Sequence, residues 1–213
     1  MNDDLKTPRK RAFQYFFVDG IFELGYGLVS LIVGIYFYLS ARVGTGLFHA
    51  LLDVSLVLVL LGSSWLAKSL VRGLKEKLTY PRTGYVAYRR ESRSKRGWRV
   101  VVSLITGGLV GAITAVLVTA PFPGMDVLPV ITGIIMGIVL GVIAWRVGLV
   151  RIYLLAVLSL LLGFGLGFAR LMDDLGVAAF YGGLGLLLLA SGGLALWHYL
   201  RQNPVSREEP HEQ

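Results

Sequence analysis

Apolar residues in this chain come in long blocks, without the alternation of a strand. The blocks are roughly Val18–Leu39, Phe48–Val71, Val100–Thr119, Val127–Trp145, Leu149–Ala169 and Val177–Leu200. A helix crosses the hydrocarbon core of a bilayer with about 20 apolar residues, and each block has that reach. The intervals between them suit helix ends. Ser40 to Gly46 carries Arg42 and two glycines, and Ala120 to Asp126 reads APFPGMD, whose prolines cannot continue a helix. Arg146 to Arg151 leaves room only for a tight turn, so the helices on either side should pack antiparallel. Arg170 to Gly176 reads RLMDDLG, with Gly176 expected in the turn. The pattern predicts an all-α integral membrane protein: one domain over residues 1–213, a bundle of six transmembrane helices, and a polar tail from 202 to 213.

The first block has a basic approach, as a signal peptide would. Asp19 and Glu23 interrupt it, it is too long for a signal peptide's apolar core, and no small-residue cleavage site follows. Thr7-Pro8 reads instead as an N-cap and first-turn proline of a helix that starts at the membrane surface and continues inward.

Composition agrees with this class. Of the 213 residues, 55% are hydrophobic and 16% charged, against roughly 25% charged in an average soluble domain. The absence of cysteine excludes disulfides, thiolate metal ligands and a cysteine nucleophile. The net charge of +8 matters through its placement. With the N-terminus inside and six crossings, every Lys and Arg except Arg42 and Arg170 falls on the inner side. Cytoplasmic loops carry such an excess, so both termini are expected in the cytoplasm.

The segment from residue 72 to 99 is the one long polar interval. It holds ten basic and two acidic residues. A basic cytoplasmic loop lying against anionic headgroups accounts for it, with Tyr80, Tyr85, Tyr88 and Trp98 near the interface. It has no recognition motif and is too short for a packed domain, so nucleic acid is not an expected partner. Pro81 to Gly84 can make a tight turn, with strand-like residues on either side in Leu78 to Tyr80 and Gly84 to Tyr88; this suits a small surface hairpin, with Tyr80, Pro81, Arg82, Gly84 and Tyr85 as its contact with a protein partner. YPRTGYV, Tyr80 to Val86, resembles a juxtamembrane motif of uncharacterised multi-pass membrane proteins of bacteria. That resemblance implies a prokaryotic plasma membrane and carries over no residue role.

Ionisable residues inside a bilayer raise a functional question by default. Asp19 and Glu23 share a face of the first helix, His49 and Asp53 share a face of the second, and Lys68 lies near the inner end of the second. An antiparallel count about residues 43–44 sets Lys68 level with Asp19, with Glu23 and Arg72 as competing partners. It sets His49 and Asp53 at the opposite, outer end. The structural alternative for each acidic group is pairing or hydration near a helix start. The functional alternative is a proton or cation site. No HExxH, GxSxG or GxxxxGK[ST] motif occurs, and three histidines do not make a metal centre, so no metal or cofactor is expected. Ser64 and Lys68 have Ser-Lys spacing, which arises easily by chance. Gly133, Gly137 and Gly141 recur every four residues, as do the pairs Gly107–Gly111 and Gly163–Gly167. Such faces let helix backbones approach, within one chain or between two copies.

Three functions follow in order. The first is a non-enzymatic structural or regulatory partner that uses the basic loop. The second is a small transporter or a substrate-binding transporter subunit. The third is an intramembrane enzyme with His49 and Asp53 as its acid–base pair. The topology is testable on its own: a cysteine at Ser94 should resist a membrane-impermeant thiol reagent in intact cells, whereas one at Thr45 should react. Ready labelling at Ser94 would overturn the inside assignment.

Overall fold

A computed structural model describes residues 16–42, 47–80, 124–171 and 173–204, with the backbone alone described at 47–53 and 173. These residues are helical throughout apart from short turns. The fold is all-α, of multi-pass membrane type. Its helices are α1 (Ile21–Arg42), α2 (Leu47–Leu74), α3 (Val127–Val147), α4 (Val150–Ala169) and α5 (Asp173–Gln202). All five are long and apolar enough to cross a membrane. The expected third span, Val100–Thr119, lies outside the described residues, as do Thr7-Pro8 and residues 205–213 of the polar tail.

Helix boundaries follow local chemistry. α3 ends at Gly148, whose φ of 73° is the left-handed conformation that glycine adopts without strain, and its N–H bonds back to the carbonyl of Ala144 at 2.6 Å. α4 starts two residues later, the tight turn expected there. α5 begins at Asp173. Gly176 is therefore helical and not in the turn: it sits where a Cβ would meet the Pro129 ring at 2.6 Å, so it serves close packing. α2 does not stop near Val71. It runs to Leu74 and continues through a π-helical turn, Lys75–Thr79, to Tyr80. Residues 72–80 of the expected loop are thus helical, and the strand-like role assigned to Leu78 to Tyr80 does not hold.

The bundle has two packed pairs. α1 lies antiparallel on α5 over its whole length. A Cβ on Gly20 would meet Gly192 O at 2.5 Å, one on Gly27 would meet Gly185 O at 3.0 Å, and one on Gly34 would meet Gly182 N at 2.8 Å. Ser30 ties the same pair by donating to the carbonyl of Tyr181 at 2.8 Å. α3 and α4 form the second pair. A Cβ on Gly133 would lie 2.7 Å from Gly163 Cα, and one on Gly137 would lie 2.8 Å from the Leu160 side chain. Gly141 belongs to a different face, with no described atom within 4 Å of a Cβ. α5 joins the pairs through a core of Phe17, Leu140, Ala144, Val147, Ile152, Leu155, Phe180, Leu184 and Leu188.

α2 is peripheral. Among the described helices it packs along α1, and Val54, Val57, Leu58, Leu61 and Trp65 stand exposed on it. An apolar face of this size suits lipid and not water.

The antiparallel contacts sort the helix termini. One end of the bundle gathers the start of α1, the ends of α2, α3 and α5, and the start of α4. The opposite end gathers the remaining termini, with Gly176 of α5 against Pro129 of α3. Lys68, Arg72, Lys75, Lys77, Arg146, Arg151 and Arg201 belong to the first end, and Arg42 and Arg170 to the second. The chain therefore leaves α2 at one end and enters α3 at the other.

Added volume should be felt where backbones touch. Gly133→Ala and Gly137→Leu are expected to lower the thermal unfolding midpoint in detergent, each by an overpacking cost of about 1–3 kcal/mol. Gly141→Ala should leave it unchanged or raised, since alanine favours a helix. An equal loss at all three positions would show that these contacts do not hold the pair together.

Candidate functional site

The helical path from Phe16 is interrupted at Asp19-Gly20. Phe16–Val18 is helical, Asp19 and Gly20 turn, and α1 begins at Ile21. Gly20 has φ 71°, and any side chain there would strike Gly192. The position thus needs glycine for both conformation and space. An interruption inside a bundle strands backbone groups: carbonyls at the end of the first piece and N–H groups at the start of the second. They need partners where water is scarce.

Three side chains supply those partners, and Glu23 supplies counter-charge. Asp19 accepts the Ile21 N–H on Oδ1 at 3.2 Å, capping the new helix. Its Oδ2 accepts from Lys75 Nζ at 2.8 Å and from Thr79 Oγ1 at 3.1 Å. Lys75 Nζ also donates to the carbonyl of Phe16 at 2.7 Å and lies 3.9 Å from the centre of the Phe16 ring. Arg151, from the first turn of α4, donates through Nη1 to Val18 O at 3.1 Å and through Nη2 to Phe17 O. Its Nε donates to Glu23 Oε1 at 2.7 Å, and Ser191 of α5 donates to Glu23 Oε2 at 2.5 Å. Asp19, Glu23 and Lys75 are all buried. Two acids meet two bases, the network is neutral in charge, and every carboxylate oxygen is occupied.

The expected Asp19–Lys68 pair is not formed. Asp19 pairs with Lys75, seven residues further along. Seven residues are two helical turns, so Lys68 and Lys75 share a face and differ in level by about 10 Å. The expected level is therefore off by two turns. A count about the turn treats both helices as uninterrupted, and neither the break at Gly20 nor the π turn at 75–79 obeys it. Glu23 finds Arg151, a residue assigned from sequence to the interhelical turn. The signal for Lys75 was present in the spacing of Lys68, Arg72, Lys75 and Thr79, which lines one face of α2.

Next to the network, a groove of about 510 Å³ opens between α1 and α2. Phe16, Phe22 and Tyr26 line one wall, and Ala67, Lys68 and Arg72 the other, with Val29 and Ser64 at its far end. Lys68 has no ion-pair partner among the described residues. Arg72 has a loose and exposed one, Glu76 at 3.8 Å.

His49 and Asp53 fall on the first turns of α2, at the end away from this network, and their side chains lie outside the described residues. Pro81, Arg82, Gly84 and Tyr85 lie outside them too, while Tyr80 closes the described part of α2 and lines the groove. Among the described residues no three His, Cys, Asp or Glu side chains converge.

No protein-family model matches the chain, and neither a curated protein nor a solved structure shows significant similarity to it.

Breaking a buried pair from one side leaves an unpaired charge, at a typical cost of about 3–5 kcal/mol. Asp19→Asn and Lys75→Gln should each destabilise the protein, and the double variant should lose less than their sum, with a coupling of about 1–3 kcal/mol in reversible unfolding. Lys68→Gln combined with Asp19→Asn should be additive. Coupling to Lys68 and none to Lys75 would reject the assignment.

Proposed function

We propose that the chain is a six-span protein of a prokaryotic plasma membrane with both termini in the cytoplasm. It acts there as a non-enzymatic structural or regulatory partner, and its basic loop is the contact surface. Connectivity supports the sixth crossing: α2 ends at one end of the bundle and α3 starts at the other. Charge supports the orientation, because the end that gathers Lys68, Arg72, Lys75, Arg146, Arg151 and Arg201 is the one a positive-inside bias would hold in the cytoplasm.

The observation that carries the non-enzymatic reading is the closed network at the helix break. Asp19, Glu23, Lys75 and Arg151 are committed to one another and to backbone carbonyls. Side chains used in this way hold an architecture. The basic chemistry that this network does not use is, by sequence, the segment that follows α2.

The interruption also favours a second reading, a small transporter, because transporters place substrate and ion sites at broken helices. Cation-dependent or proton-coupled flux in vesicles containing the purified protein would favour transport.

The partner role is tested by replacing Arg82 and Tyr85 with alanine. The other basic residues stay, so topology is preserved. Proteins that copurify with the intact chain from gently solubilised membranes should be lost from this variant. An unchanged set of partners would remove the docking role.

A further inference from the structure

We infer that the groove between α1 and α2 is a binding site for one anionic phospholipid. The phosphate would be held by Lys68 and Arg72, and an acyl chain would run along Tyr26 and Val29 toward Ser64.

Depth is the first argument. Gly25 packs against Ala67 and Val71, which fixes the level of α2 relative to α1. Arg72 is then near the level of Phe22 and Glu23. Glu23 is bonded to Arg151, beside the turn between α3 and α4. A turn between two spans marks the membrane boundary, so Arg72 lies at headgroup level. Lys68 is one helical turn deeper, within snorkelling reach of the same level. Val29 and Ser64 lie deeper again, on the hydrocarbon side. The groove thus passes from cationic to apolar along the bilayer normal, as a phospholipid passes from anionic to apolar.

Charge is the second argument. Lys75 is on the same face of α2 but is consumed by Asp19, Phe16 O and the Phe16 ring. Lys68 and Arg72 remain. Both are exposed, one without an ion-pair partner among the described residues and one only loosely paired. The acids nearest the groove, Asp19 and Glu23, have every oxygen occupied and do not compete for these two cations. Among the described residues Glu76 is the one acid paired with Arg72, and its side chain is 59% exposed, free to yield to a phosphate. Tyr26, 49% exposed, places an aromatic ring with a polar tip at the interface, the usual position for tyrosine in membrane proteins.

The test uses the full-length protein in phosphatidylcholine nanodiscs carrying a minor fraction of phosphatidylglycerol. Retained lipid is counted by native mass spectrometry after release into detergent. One phosphatidylglycerol per chain should persist, with a preference over phosphatidylcholine on the order of tenfold, the scale two surface cations supply. Lys68→Gln should abolish that preference and Lys68→Arg should keep it. Arg146→Gln, which removes an exposed cation from the same end of the bundle, should leave it intact. Ser64→Trp, which fills the far end without touching charge, should also displace the lipid, so the reading does not hang on one variant. Gel-filtration profiles identify any variant that fails to fold. Equal retention of the two lipids would overturn the site. So would equal loss in Lys68→Gln and Arg146→Gln, which marks unspecific annular attraction. Equal thermal stabilisation by water-soluble glycerol 3-phosphate would replace the lipid with a free phosphate. None of these outcomes depends on a protein partner at the loop.

Discussion

The structure depends on one constraint: a helix cannot be interrupted inside a low-dielectric bundle unless the exposed backbone groups are bonded to something else. The interruption at Asp19-Gly20 meets it with Asp19 itself and with side chains from two other helices. Lys75 and Arg151 take the stranded carbonyls of Phe16 and Val18, Arg151 adds a second donor to Phe17 O beside the Gly20 N–H, and Asp19 caps the restarted helix. The cations that perform this need counter-charge, and Asp19 and Glu23 provide it from the broken helix itself. Each ion pair is thus the electrostatic complement of a backbone repair. This explains why four ionisable groups gather in a chain otherwise sparing with charge.

The same constraint organises the packing. Gly20 must turn the chain and must also sit against Gly192, so the break holds α1 against α5 at the level where Ser191 reaches Glu23. From there Gly27 and Gly34 follow at seven-residue intervals along one face. α3 and α4 use glycine in the same way, through Gly133 and Gly163. α2 is different. It meets α1 around Ala67 and Val71, and the groove that the lipid proposal fills opens beside that contact, lined by Phe22 and Tyr26 of α1.

Much of this architecture could be read in the sequence because bilayer thickness imposes a length on apolar runs. α3 and α4 start within a residue of their expected positions, since proline and glycine mark those ends chemically. α2 overran its expected end because Lys75 and Thr79, polar in isolation, are neutralised by a partner that no local pattern reveals. The break at Asp19-Gly20 was hidden for a related reason. A single Asp-Gly pair in an apolar run is compatible with a continuous helix, and only the arrival of Lys75 and Arg151 makes the interruption stable. The α1–α5 seam was missed because its glycines are seven apart and divided between the two ends of the chain, whereas the four-residue repeats were sought within one helix. Asp19 and Glu23 were recognisable as unusual, but their partners lie 56 and 128 residues away.

Those separations impose an order on biogenesis. The ribosome delivers the N-terminal part first, so α1 must enter the membrane before most of its partners exist. Lys75 arrives 56 residues after Asp19, Arg151 comes 128 residues after Glu23, and Ser191 comes 168 residues after it. Until then Glu23 is an unpaired acid on a segment already being inserted. Such a segment favours the aqueous interior of the insertion machinery or the headgroup layer over lipid. Pairing and burial of that end of α1 therefore wait for synthesis of the fourth and fifth described helices. A chain truncated before Arg151 would keep its first helix recognisable to the cell as unfinished.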